Sequence, residues 1–239
     1  MTLRDDIKPY LDPAGLVTVN PYKSLEDSTG NGVLYLSEYI VLLHLRKELT
    51  QSDKADFLLT MQKCMPVHQG LLHRSPTHID QNGPDDYAGY LTACYLTQNH
   101  ELASSTIRYA KAHWGFLNNE VPGTYRKRDG RFNWSAFLVR QPQLIALAYW
   151  AAGKRAPLWT ALWTAVTLAL AGWRKPVEDT DSHILAWMLG QVAIKESKLC
   201  AMAYRVFDNR LRKDYAKGMQ EVFKIYFNGL AHPIALYMR

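Results

Sequence analysis

The chain has 239 residues, 48% hydrophobic and 12% aromatic, enough to bury one substantial core and at the upper end of single-domain size. Its 28 Lys and Arg against 22 Asp and Glu leave a net charge of +6, a bias toward acidic partners. The basic residues are scattered apart from Arg126, Lys127 and Arg128 with Arg131, and the stretch Arg205 to Lys217, so the compact footprint of a nucleic-acid-binding protein is not expected.

Along the chain, the first thirty or so residues hold Pro9, Pro13, Gly15, Pro21, Gly30 and Gly32, too dense for a regular element, and residues 1–32 read as an irregular segment packed on the domain. Helical patterns follow. The first covers about Val33 to Lys47, and the second starts near Ser52, with Ser-Asp-Lys-Ala-Asp as its start signal, and runs to about Met65. After a loop rich in Pro, His, Asn and Gly come helices over about Pro84 to Thr97 and Glu101 to His113. A long loop from Gly115 to about Asn133 precedes helices over about Phe137 to Ala152, Pro157 to Trp173, Thr180 to Ser197, and a last, broken one over Lys198 to Phe227. Short and long connections alternate, which predicts antiparallel hairpins packed side by side. The helices near Val33 and Pro157 are apolar nearly all round, whereas those at Ser52, Glu101 and Arg205 carry a charged face. That division predicts an inner and an outer set. The fold expected is a single all-α domain over residues 1–239, in an incomplete α/α-toroid-like arrangement.

Ala156 to Trp173 is free of charge and long enough to consider as a membrane span. Thr160, Thr164 and Thr167 form a polar stripe along it, and Pro157 and Gly172 punctuate its ends, so a helix buried on all sides of the core is predicted instead. The polar stretch at residues 1–6 has no apolar export signal, so Sec secretion is not expected. Cys64, Cys94 and Cys200 are odd in number, far apart and each within an apolar helical pattern, which predicts buried free thiols.

Glu38 is the only carboxylate between Val33 and Leu45. Buried, it would have its pKa raised toward the range of a general acid; alternatively it sits in the first turn, stabilised by the helix dipole. Asn82 or Gly83, Pro84, Asp85 and Asp86 compose a helix start. Capping accounts for one aspartate; a second, followed by Tyr87 and preceded by His78 and Asp80, also fits a polar mouth holding substrate. In the loop Val121 to Trp134, Tyr125, Phe132 and Trp134 alternate with Arg126, Arg128 and Arg131, a mixture that stacks on sugar rings and holds acidic groups, or pins an ordered surface loop. Asp27, Thr29 and Asn31 lack the glycine placement and terminal Glu of a calcium loop, and the histidines form no metal-binding spacing. No metal and no cofactor are expected.

Ser37-Glu38 on an apolar early helix, Pro84-Asp85-Asp86-Tyr87 at a later helix start, and the aromatic loop together resemble the layout of (α/α)-toroid glycoside hydrolases and polysaccharide lyases. The resemblance implies that Glu38 is a proton donor and Asp85 or Asp86 a base or nucleophile, with Tyr87, His78, Tyr125, Arg128 and Trp134 as substrate-binding candidates. Tyr39-Ile40-Val41 stand where the family commonly has Gly and Tyr. Val19-Asn20-Pro21-Tyr22, Asp27 to Glu38 and Pro84 to Tyr87 also resemble proteins of tailed bacteriophages. That second resemblance implies no activity; it implies a virion or host-cytoplasm setting. A glycan or other virion subunits are the partners expected, and no membrane.

Overall fold

The structure, a computed structural model, describes residues 2–19, 31–66, 68–77, 83–113, 115, 117, 126, 129–132, 134, 141–173, 180–227 and 232–238. Among them the chain is all-α, and β pairing is limited to the isolated antiparallel bridges Leu11–Val17 and Arg126–Phe132. The helices are α1 (Leu3–Ile7), α2 (Gly32–Leu45), α3 (Gln51–Lys63), α4 (Pro84–Thr97), α5 (His100–Ala112), α6 (Gln141–Ala151), α7 (Leu158–Ala171), α8 (Thr180–Glu196), α9 (Lys198–Asp214), α10 (Met219–Tyr226) and α11 (Pro233–Tyr237), with a 3₁₀ turn at Lys8–Tyr10. The long C-terminal pattern is two helices, broken at Gly218, whose φ of 54° suits glycine.

The N-terminal segment is not wholly irregular as expected. Thr2 accepts from the Asp5 N–H while Asp5 reaches back to the Thr2 N–H, a reciprocal cap that starts α1. Arg4 then ties α1 to α3 by pairing with Asp53 at 2.7 Å. At the other end, the His232 ring stacks on Phe227 at 4.1 Å, and its Nε2 meets the Thr18 carbonyl at 3.0 Å. Burial lowers the His232 pKa to about 4, so it stays neutral at neutral pH.

Helix α4 is the hub, packed against α2, α6 and α8, while α6 and α8 also meet each other. Its boundaries have local causes. Gly83 is the N-cap, Pro84 fills the first turn, and the left-handed Gln98 closes the end, letting the Asn99 N–H reach the Cys94 carbonyl at 2.9 Å. A Cβ at Gly89 would lie 3.0 Å from Ser37 Cβ, so α2 and α4 cross with almost no space between them. The outer helices make thinner contact: α3 buries only Phe57, Thr60 and Met61. All three cysteines are free and buried, as expected.

Helix α7 corrects the expectation of a helix covered on every side. Its buried residues are Thr160, Thr164, Ala165 and Leu168, whereas Leu158, Trp159, Leu162, Trp163, Val166 and Leu170 are exposed. It belongs to the outer set, beside α9. Composition shows that a helix has no charged face; it does not show whether its own chain supplies the cover. Among the described residues, no helix is long and apolar enough to cross a membrane.

Candidate functional site

The starts of α4, α6 and α8 converge. Pro84 and Asp85, Gln143, and Asp181 with Ser182 line one side of a cavity of about 610 Å³, and the outer half of α7, from Trp163 to Ala171, closes the other. Three helix N-termini bring their positive dipole ends to the same place, which favours acidic side chains there. Asp85 and Asp181 are those side chains.

Glu38 lies in the second turn of α2, so the first-turn dipole account does not hold for it. It is 0% exposed, and neither carboxyl oxygen has a hydrogen-bond partner. Burial, and then the charges of Asp85 and Asp86, push its pKa well above the ordinary carboxylate range. The close crossing at Ser37 and Gly89 explains the meeting: Glu38 follows Ser37, and Asp85 stands one turn before Gly89. The Tyr226 hydroxyl of α10, which accepts from Asn31 Nδ2 at 3.1 Å, belongs to the same group. Burial raises its pKa, and the charges on Glu38 and Asp85 add to the rise.

The two aspartates separate by environment. Asp86 is fully buried, accepts from the Gly83 N–H at 3.0 Å and faces Arg74 Nε at 3.2 Å, so it caps α4 and anchors the preceding loop. Burial and the Asp85 charge raise its pKa, against the opposing pull of Arg74 and the Gly83 N–H. Asp85 is only partly covered and lines the cavity. A Cβ at position 83 would lie 2.3 Å from Asp85 Oδ1 and 2.9 Å from Asp86 Oδ2, so glycine there leaves room for both carboxylates.

Tyr87 does not face substrate space. It is 0% exposed, and its hydroxyl accepts from the Leu72 N–H at 2.9 Å, fastening the loop after α3 to the hub. Tyr87→Phe is expected to cost about 1–3 kcal/mol by leaving that buried N–H unpaired; chemical denaturation measures this, and a neutral result would remove the fastening role. Trp134 is 63% exposed, with its ring 4.6 Å from that of Phe132, so it does not pin this stretch into the core. His78, Tyr125 and Arg128 lie outside the described residues, as does the Asp27 and Thr29 turn. Gln143, Arg74, Asp181 and Tyr226 carry no mark in the sequence that points to this cluster. No group of three or more potential metal ligands occurs among the described residues.

Compared with known proteins, the chain matches no family, no curated protein and no solved structure at a significant level.

Proposed function

We propose that the cavity at the starts of α4, α6 and α8 is the site of a carbohydrate-active protein, a glycoside hydrolase working through two unlike carboxyl groups. The observation that carries this reading is Glu38: fully buried, without a hydrogen-bond partner, and raised in pKa by burial beside Asp85. A neutral carboxyl close to a second, water-accessible carboxylate is the arrangement that glycoside hydrolysis uses. In this scheme Glu38 donates its proton to the departing glycosidic oxygen. Asp85 takes a proton from the water that attacks the anomeric carbon, or attacks that carbon itself. Asp86 is not a reacting group here, being committed to Gly83 and Arg74. Because Glu38 is covered and does not itself line the cavity, productive binding requires the cleft to open toward it.

The test is a panel of neutral, acidic and bacterial cell-wall polysaccharides, read by release of reducing ends. Glu38→Gln and Asp85→Asn are each expected to lower turnover on the order of 10²- to 10⁴-fold, with circular dichroism unchanged. Full turnover by both variants, or no release from any glycan, would remove the proposal.

A second reading, a non-enzymatic structural or interaction protein of a bacteriophage particle, is favoured by the outward apolar face of α7. Recovery of the chain at fixed copy number in purified particles would support it over the enzyme.

A further inference from the structure

Helix α7 is built inside out. The side it turns to its own protein carries Thr160 and Thr164, whose hydroxyls have only backbone carbonyls of their own segment to bond: Thr160 donates to the Pro157 carbonyl and Thr164 to the Thr160 carbonyl, each at 2.7 Å. The opposite side carries Trp159, Trp163, Val166 and Leu170, continued past the helix end by Trp173. Their spacing of four, three, four and three residues is the heptad alternation with which one helix seats against another. All five are exposed, from 38% at Trp163 to 68% at Trp173.

The neighbouring helix extends this face. Cys200 lies against the Ala161 carbonyl, and Gly172 lies against Phe207 and Arg210, so α7 and α9 run in the same direction side by side. Leu199, Met202 and Val206 of α9 are exposed beside the α7 seam. Between the helices runs an apolar groove of about 320 Å³, floored by Ala165, Ala169 and Ala203. Among the described residues charge lies at the margin, where exposed Lys198 and Arg205 flank α9 and Arg210 lies over the Trp173 ring at 4.9 Å. An uncharged centre inside a polar rim is the anatomy of a protein interface.

We propose that this α7–α9 face is the contact through which two copies of the chain form a symmetric dimer. Its area selects that occupant. Large apolar side chains at 38% to 75% exposure across two helices exceed the roughly 300–600 Å² patch of an ordinary monomer and reach the scale of about 800 Å² per partner that a stable complex buries. The heptad seam selects a helix as the opposing surface, and the tryptophan seam and the small-residue groove adjoin at Val166. Two copies of it are therefore knob and hole to each other, the self-complementarity a two-fold contact requires. Trp163, Val166 and Leu170 of the seam also border the cavity of the candidate site, so the dimer covers that wall of the cleft; its test, read from mass and crosslinking, is independent of hydrolase activity.

Sedimentation equilibrium of the full chain over a range of concentrations is expected to give twice the 27.3 kDa of one chain. Val166→Arg, at an exposed position, is expected to halve that mass with helical circular dichroism retained. Val166 lies midway between Trp159 and Trp173, so it faces its own copy whether the two seams run parallel or antiparallel. Val166→Cys is therefore expected to form an interchain disulfide on mild oxidation, and the native cysteines, being buried, supply little background. A monomer at every concentration would overturn the proposal, as would a dimer unaffected by Val166→Arg and uncrosslinked by Val166→Cys. So would a monomer that sediments with phosphatidylglycerol vesicles, which would assign the face to a lipid surface.

Discussion

Glu38→Gln is expected to make the protein more stable at pH 8, raising the melting temperature. The carboxyl is fully buried without a hydrogen-bond partner, and its folded-state pKa lies well above the ordinary value of 4.5. The neutral form fits the folded chain, while the unfolded chain ionises freely. Its contribution to stability is therefore present in full below about pH 4.5 and is lost as pH rises through the folded-state pKa. Glutamine has nearly the same shape and never ionises. For a chain of this size each 1 kcal/mol of stability gained at pH 8 moves the midpoint upward by about 2–4 °C. At pH 4 the gain should vanish. Thermal melts of both proteins across this range check it. The difference between them is the quantity to follow, because Asp86, also raised by burial, adds its own pH dependence to each. A difference independent of pH would show that Glu38 titrates normally. Joined to the expected loss of turnover, a stabilised but inactive variant would identify Glu38 as a group kept for function at a cost in stability.

The largest destabilisation is expected at a glycine remote from the carboxylates. Gly70 has a φ of 93°, and a Cβ there would lie 2.3 Å from the Ser105 carbonyl oxygen and 2.9 Å from the Thr106 nitrogen, both backbone of α5. Gly70→Ala therefore meets two obstacles, a backbone conformation that L side chains rarely adopt and a wall that a rotamer change cannot move. The expected loss is about 3–5 kcal/mol, a large share of the roughly 5–15 kcal/mol stability of an ordinary domain. Urea titration reads it directly. A loss under about 1 kcal/mol would mean that this loop does not press on α5 in solution.

Much of the fold is legible in the sequence because its signals are local. Gly83 and Pro84 start α4 where the pattern predicts, and α2, α3, α5 and α8 fall close to their expected bounds. The missed pieces are short. Density of proline and glycine obscured the reciprocal Thr2–Asp5 cap that starts α1, and Pro233 opens a five-residue helix with too few residues for periodicity to register. The hidden α7 assignment has a different cause: an apolar pattern reports that a helix seeks cover and is silent on what provides it. The candidate site divides the same way. Glu38 stands out as a lone carboxylate in an apolar helix, and Asp85 as a surplus acid at a helix start. Arg74, Gln143, Asp181 and Tyr226 carry no such mark, since what gathers them is tertiary packing, with α6 and α8 set against the hub and α10 against α8.

That hub constrains how such a chain can change over generations. Asp85 and Asp86 stand at the start of the helix against which three others are set, and eleven residues of α4 are buried. Substitutions along it are tolerated poorly whatever the chemistry at its tip. The other lips of the cavity, Gln143 on α6 and Asp181 and Ser182 on α8, stand at helix starts that bear neither carboxyl group of the proposed pair. Novelty in what the cleft accepts is therefore expected to accumulate at those two lips, while the helix bearing the carboxylates drifts slowly.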